Sequence, residues 1–107
     1  MKDKNLYEIS LLIDFYGKLL TEKQLQNITD YYFNDLSLSE IAQNNNVSRV
    51  AIYDSIRKSK SELDEFEKKL GFIKKFNLRK KLYENIKDEN LKKELLHTEV
   101  TKLWNPN

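Results

Sequence analysis

Residues 37–58 read SLSEIAQNNNVSRVAIYDSIRK, which is the pattern of two short helices joined by a tight corner. Leu38, Ile41 and Ala42 would give the first helix one buried face, and the small Ala42 would let a second helix cross closely. Three asparagines interrupt the pattern, and Asn46 can adopt the left-handed conformation that turns the corner. We expect Val47 to fill the gap between the two helices.

The second corner helix has a predicted N-cap at Ser48, and its apolar residues Ala51, Ile52 and Ile56 are predicted to point inward. Its other face would be free to enter a major groove, as in a helix-turn-helix. The predicted nucleic-acid-binding residues are Ser48, Arg49, Val50, Tyr53, Asp54, Arg57, Lys58 and Lys60. Two amphipathic helices with a polar corner also occur in ordinary helical bundles, so the shape and DNA binding are separate predictions.

The composition predicts one small all-α domain. The chain has 107 residues with only two glycines and one proline, which leaves few turns for sheets. It has no cysteine and one histidine, and we find no Gly-rich phosphate loop and no Ser/His/Asp set. We therefore expect a protein that is not an enzyme and needs no metal or cofactor. The longest apolar run is Leu11 to Ile13, and the start lacks the apolar stretch of a signal peptide. These features predict a cytoplasmic protein without membrane insertion.

The net charge of +2 is small, but the basic residues are concentrated in two blocks. Residues 48–60 carry four basic and one acidic side chain, and residues 70–87 carry six and one. Since phosphate contacts dominate sequence-independent affinity for DNA, both blocks are candidate footprints. The second block is predicted to form a secondary basic patch of Lys74, Lys75, Arg79, Lys80 and Lys81. The alternative is that the lysines only solvate the surface.

The rest of the chain is predicted to be helical and to divide near Gly71. Residues 1–71 would form a helix-turn-helix domain with a long recognition helix from Arg49 to Leu70, whose far half is acidic. Gly71 would end that helix. Residues 72–107 would form a C-terminal helical extension, with helices over about 73–87 and from Asp88 toward Trp104, that packs on the core or on a second subunit.

The N-terminal part of the chain carries two further helix signals. Residues 3–19 are predicted to form a helix with a broad apolar stripe that includes Leu6 and Leu19. The stripe would be core, or in part a dimer surface. Thr21 and Gln24 have the spacing of a capping box that opens the next helix, which would run to about Asn34.

Short segments of the chain resemble two known groups of proteins. The segments LTEKQ (20–24), LSEIA (38–42) and VSR (47–49), with Ile52, are similar to the promoter-reading helix-turn-helix of bacterial sigma factors, region 4. A closer resemblance, to the YlxM family of small helical bacterial proteins, covers roughly residues 6–72. It includes LLTEKQ (19–24), YY (31–32), DLSLSEIA (35–42), VSR (47–49), AIYD (51–54), IRK (56–58) and EKKL (67–70).

The YlxM resemblance implies a helix-turn-helix protein with a regulatory or accessory role in the signal recognition particle pathway. Three positions depart from the usual pattern. Asn45 stands where such units are usually apolar and Asn46 where Gly is frequent, which suggests a looser corner. Val50 stands where the family often has Gln, and it lacks a polar group for a base edge.

Three functions follow as hypotheses. The first is a DNA-binding regulator that uses the second corner helix. The second is an interaction module that contacts the signal recognition particle through its protein or its RNA, using the acidic half of the long helix or the basic patch. The third is a homo-oligomeric helical scaffold, most simply a dimer, which is compatible with either of the others.

Overall fold

A computed structural model describes residues 5–102 of the chain. Within this range the protein is all-helical, as predicted, and contains no strand. The helices are α1 (Leu6–Tyr16), α2 (Glu22–Tyr32), α3 (Leu38–Asn45), α4 (Arg49–Leu70), α5 (Phe72–Glu84) and α6 (Glu89–His97), with a 3₁₀ turn over Gly17–Leu19. None of these helices is long and apolar enough to cross a membrane.

Helix α4 is the central element of the fold. It is continuous over 22 residues, as the unbroken pattern predicts, and packs against α1, α2 and α3. Its inward row is Ile52, Ile56, Ser59 and Leu63, all almost fully buried. At 1.5 Å per residue the helix is about 33 Å long, so it extends well beyond the corner unit.

Helix α1 contributes Ile9, Leu12 and Tyr16 to the core, but part of its predicted apolar stripe is not buried. Leu6 is 44% exposed and Leu19 is 57% exposed, so these two residues of the stripe lie outside the core of the chain. Leu6 lies in the first turn of α1. Leu19 follows Tyr16, where the backbone leaves helical geometry at φ −125° and ψ −2°, and this redirects the following 3₁₀ turn.

Gly17 stands at the end of α1 because α2 passes very close to it. A Cβ atom built on Gly17 would lie 3.1 Å from Cδ1 of Leu25, which is tighter than ordinary contact. The predicted capping box then opens α2: the Gln24 amide N–H donates to Thr21 Oγ1, and the Gln24 side chain accepts from the Thr21 amide.

The C-terminal helices pack on the same chain. Phe76 of α5 is fully buried, with its ring 5.8 Å from that of Phe15 on α1. Helix α6 packs mainly on α5 and ends at His97, well before the predicted end. Trp104, toward which this helix was predicted to run, lies outside the described residues.

Several apolar residues of the C-terminal helices and of the segment after them are exposed. The α5 and α6 faces that meet are narrow, with Tyr83 and Leu96 as the buried residues beside Phe76. Four exposed apolar residues lie outside those faces, although the Phe72 ring stacks on that of Tyr16 and Val100 lies beyond the end of α6. They are Phe72 (44% exposed), Leu82 (66%), Leu91 (47%) and Val100 (61%).

A polar joint holds the sharp turn between α4 and α5. Gly71 takes the left-handed conformation, at φ 67°, and ends α4 as predicted. The Tyr16 hydroxyl donates to Glu67 Oε1 at 2.5 Å and accepts from the Phe72 amide at 3.1 Å. Glu67 also accepts from the amides of residues 73 and 74, and so satisfies the first N–H groups of α5. Burial and the bond to Glu67 raise the pKa of Tyr16 to about 12.

Candidate nucleic-acid interface

The first helix of the corner unit begins with a second capping box. The Glu40 amide donates to Ser37 Oγ at 3.0 Å, and Glu40 Oε1 accepts from the Ser37 amide at 2.8 Å. Ser37 is therefore the N-cap of α3. Leu38, Ile41 and Ala42 of this helix are buried, as predicted.

The corner itself turns through Asn46, which has φ 56° and ψ 45°, the left-handed conformation predicted for it. The Asn46 amide donates to Gln43 O, and the Val47 amide donates to Ala42 O at 3.0 Å. This pattern is a Schellman motif, which satisfies the last carbonyls of α3. Val47 is 48% exposed, so it was wrong to expect it to fill the gap; the left-handed turn carries the chain outward at this point.

Asn45 closes the corner although it replaces the usual apolar residue. Its side-chain nitrogen donates to Ile41 O at 2.7 Å and to Oδ1 of the buried Asn27 at 3.2 Å. The bond to Asn27 joins α3 to α2, because Asn27 lies on α2. The sequence suggested a looser corner at Asn45, but these hydrogen bonds hold the Asn45 side chain in place.

Ser48 caps α4, as predicted: its Oγ accepts from the Ala51 amide at 3.0 Å. Ile52 and Ile56 are buried, but Ala51 is exposed, so its inward placement was wrong. The inward row repeats at 52, 56, 59 and 63, and position 51 lies about 100° around the helix from position 52, at the edge of this row. The Ser48 hydroxyl is occupied by the cap.

Most of the remaining predicted binding residues lie on the exposed side of α4. Val50, Asp54 and Arg57 follow one another at helical spacing opposite the buried row. Arg49 and Tyr53 lie along one edge of this face, and Lys58 lies toward the other. All six are exposed, Val50 to 65% and Tyr53 to 39%.

The basic residues of this face differ in their availability. Within residues 5–102, Arg49, Arg57 and Lys58 form no salt bridge. Lys60 is half-buried and its Nζ lies 2.8 Å from Asp64 Oδ2. It is therefore paired within the helix and does not belong to the unpaired cations of this face. Three cations therefore remain on the first three turns of α4. Binding by any of these residues stays a prediction.

Most carboxylates in the acidic half of α4 form hydrogen bonds or an ion pair with other residues of the protein. Glu62 accepts from Nε2 of Gln24 at 2.7 Å, Asp64 pairs with Lys60, and Glu67 belongs to the α4–α5 joint. Glu65 remains exposed. Glu62 and Glu67 thus connect α4 to α2 and to α5, which the sequence pattern did not reveal.

The residues of the predicted secondary basic patch differ in their contacts. Lys74, Lys75 and Lys81 are exposed on α5. Lys80 Nζ lies 5.7 Å from the centre of the Tyr7 ring. Arg79 points instead to Glu99, so it was wrong to count it as a free cation of this patch.

Arg79 forms a two-pronged ion pair with the buried carboxylate of Glu99. Arg79 Nε and Nη2 donate to the two Glu99 oxygens at 2.7 and 2.8 Å, and the Tyr83 hydroxyl donates to the same carboxylate. The Arg79 hydrogen bonds hold the pKa of Glu99 below its usual value, against the opposing effect of burial. The pKa of Tyr83 is raised mainly by burial and, to a smaller extent, by its hydrogen bond to Glu99. We call Arg79, Tyr83 and Glu99 the α5–α6 clamp.

The two basic regions lie at different ends of the long helix. Arg49 begins α4, and α5 starts only after Gly71, about 33 Å farther along the helix axis. Within the described residues, no group of three or more His, Cys, Asp or Glu side chains could hold a metal ion.

Comparison with known proteins supports the interpretation of the corner unit. Over residues 2–103 the chain matches the family UPF0122, described as "Putative helix-turn-helix protein, YlxM / p13 like". A UPF0122 protein of Malacoplasma penetrans is 70% identical over 104 residues, which is 97% of each chain. A UPF0122 protein of Clostridium perfringens strain 13 is 46% identical over 99 residues, covering 84% of this chain and 88% of the relative. One of Listeria welshimeri is 44% identical over 92 residues, covering 86% of this chain and 84% of the relative. The chain therefore belongs to the UPF0122 family of YlxM / p13-like helix-turn-helix proteins.

Proposed function

We propose that the protein is a DNA-binding regulator that places the start of α4 in the major groove. The observation that carries this proposal is the set of three cations, Arg49, Arg57 and Lys58, which are exposed on the first three turns of a helix braced by α3 and have no ion pair among the described residues. Recognition helices of helix-turn-helix proteins contact base edges with their first turns.

The local chemistry suits that use. Arg can donate two parallel hydrogen bonds to guanine or to a phosphate, which Lys cannot. Ile52 and Ile56 anchor the opposite side of the same turns in the core, so the exposed side chains project from a rigid support. Phosphate contacts from Lys58 and the arginines would supply most of the sequence-independent affinity.

The test is fluorescence anisotropy of the purified protein with a random-sequence duplex over a series of salt concentrations. We expect binding that weakens steeply as salt rises. The double variant Arg49→Ala/Arg57→Ala should weaken binding strongly and flatten the salt dependence by about one unit of slope for each lost phosphate contact.

A matched control is available on the same helix. Lys68 and Lys69 are exposed in the last turn of α4, far from the corner. The double variant Lys68→Ala/Lys69→Ala removes the same charge and should leave most of the affinity. Equal losses from both double variants would mean that bulk charge, and not this face, is responsible for binding.

A second proposal concerns the signal recognition particle, to which the family resemblance points. The exposed lysines Lys74, Lys75 and Lys81 share α5 with Leu78 and Leu82, which are 54% and 66% exposed. This mixed basic and apolar surface is suited to RNA or to an acidic protein. It would let the protein act as an accessory factor of the particle in the cytoplasm, with or without sequence-specific DNA binding.

This second proposal is tested by binding the protein to the purified particle with and without its RNA. Lys74→Ala/Lys81→Ala should reduce retention, and Arg49→Ala/Arg57→Ala should leave it unchanged. Loss of retention only with the arginine variant would assign the particle to the α4 face. No retention in either form would remove the proposal.

The predicted homodimer stays a prediction that concerns α1. The parts of the predicted stripe that remain exposed are Leu6, at 44%, and Leu19, at 57%. A second copy could cover them without disturbing the corner unit. Light scattering at a series of concentrations tests this, since a monomer mass throughout would exclude a stable dimer.

A further inference from the structure

The exposed face of α4 carries an apolar side chain where the groove would be entered. Val50 is the second residue of the helix and is 65% exposed, the highest exposure among the large apolar residues of the corner unit. Asp54 and Arg57 follow it on the same face, one and two turns later. A single exposed valine is ordinary on a protein surface, so its position carries the argument.

The row formed by Val50, Asp54 and Arg57 is poorly suited to phosphates alone. Val50 cannot hydrogen-bond through its side chain, and the carboxylate of Asp54 would be repelled by a phosphate. The same residues suit base edges: a carboxylate accepts from the amino group of cytosine, and Arg donates to guanine. From position 50 to position 57 the helix rises about 10 Å, which is the rise of three base pairs.

The one group that an aliphatic side chain can recognise in the major groove is the C5-methyl group of thymine. Valine carries two methyl groups on a stiff, β-branched stem, so it can bury such a group at little entropic cost. Val50 is held in place because Ser48 caps the helix start and Ile52 is buried two residues later.

We propose that Val50 is a specificity-determining residue that contacts the methyl group of a thymine in the major groove. The inference rests on the proposed DNA binding by α4, which it deepens by naming the base feature that is recognised. The preferred duplexes would then carry a 5-methylpyrimidine opposite Val50, and loss of that methyl group alone would weaken binding.

The experiment compares duplexes that differ only by this methyl group. Alternating poly(dA-dT) is compared with poly(dA-dU), and alternating d(G-C) duplex with its 5-methylcytosine form, by anisotropy at fixed salt. The second pair separates the effect of the methyl group from that of A·T groove shape. Wild-type protein should bind the methylated member of each pair about three- to fivefold more tightly, the effect of burying one methyl group.

Val50→Ala should reduce this ratio toward one in both pairs, and Val50→Thr, which keeps the branched shape and one methyl group, should retain part of it. The matched control is Val100→Ala, because Val100 is 61% exposed but lies beyond α6. It should leave the ratio unchanged. Since both valines are exposed, thermal melting should confirm that all variants fold.

Each other outcome is decisive. Salt-dependent binding without a methyl preference in the wild type would overturn this inference and leave the proposed DNA binding intact. A preference that survives Val50→Ala would also overturn it. Absence of binding to every duplex would remove the proposed function, and the inference with it.

Discussion

Cutting the α5–α6 clamp should release helix α6 without unfolding the rest of the protein. The change is Arg79→Ala, which leaves Glu99, whose side chain is 2% exposed, with Tyr83 as its remaining clamp partner. Truncating one partner of a buried ion pair typically costs about 3–5 kcal/mol. Because the Arg79 side chain is 40% exposed, water already screens part of the pair, and we expect about 2 kcal/mol.

The loss should be local because α6 packs mainly against α5, whereas α4 contacts α1, α2 and α3. A loss of about 2 kcal/mol corresponds to an opening equilibrium about 30-fold larger. Native-state hydrogen exchange measures this directly. The amides of α6 should exchange about 30-fold faster in Arg79→Ala, and those in the first half of α4 should be unchanged.

The control is Lys81→Ala, two residues away on the same helix. Lys81 is exposed and forms no salt bridge within the described part of the chain. Its removal should change the exchange of α6 very little. Equal protection of α6 in the two variants would refute the reasoning, as would equal acceleration in α4 and α6.

The clamp also predicts a dependence on pH. The folded-state pKa of Glu99 is lowered, so its contribution to stability is complete above the usual pKa of about 4.3 and is lost as pH falls through the folded value. Acidification below about pH 4 should therefore weaken α6 protection beyond the general acid effect. In Glu99→Gln, the protection of α6 should be low at every pH and should show no additional loss on acidification.

The other predictions concern the corner and the joint. Asn46→Ala should cost about 1–2 kcal/mol of unfolding free energy in urea, because alanine is strained in the left-handed conformation, and Asn46→Gly should not. Ser48→Ala should cost about 1 kcal/mol through loss of the cap, whereas Ser61→Ala, at an exposed position of the same helix, should stay within about 0.5 kcal/mol. Tyr16→Phe should lower the free energy of unfolding by about 1–2 kcal/mol and abolish one phenolate transition near pH 12. Because the pKa of Tyr16 is raised, the contribution of Tyr16 to stability is complete below pH 10 and is lost as pH rises through about 12.

The parts of the fold that the sequence predicts well are those governed by local chemistry. Ser48, Asn46 and Gly71 act on hydrogen bonds and dihedral angles within a few residues of themselves, and all three behave as predicted. The length of α4 was equally predictable, since nothing between Arg49 and Leu70 breaks a helix. Such features need no knowledge of which helix packs where.

The errors come from packing between distant parts of the chain. Val47 was expected to fill the gap between the corner helices and Ala51 was expected to point inward, but both are exposed. The ion pair between Arg79 and Glu99 joins residues 20 positions apart, which no periodicity reveals. Arg79 was therefore assigned to the surface patch, and Glu99 carried no signal of its burial.

The distribution of charge along α4 bears on whether one ligand could cover both basic regions. A duplex lying along the helix from Arg49 would next meet Glu62, Asp64, Glu65 and Glu67, and residues 61–69 carry four acidic and two basic side chains. Hydrogen bonds to Gln24 and Tyr16 hold Glu62 and Glu67 in place without neutralising them. Repulsion from phosphates should therefore confine a duplex to the first turns of α4. The lysines of α5, held beyond this acidic stretch by the Glu67 joint, are better placed to bind a second partner than to extend the first contact.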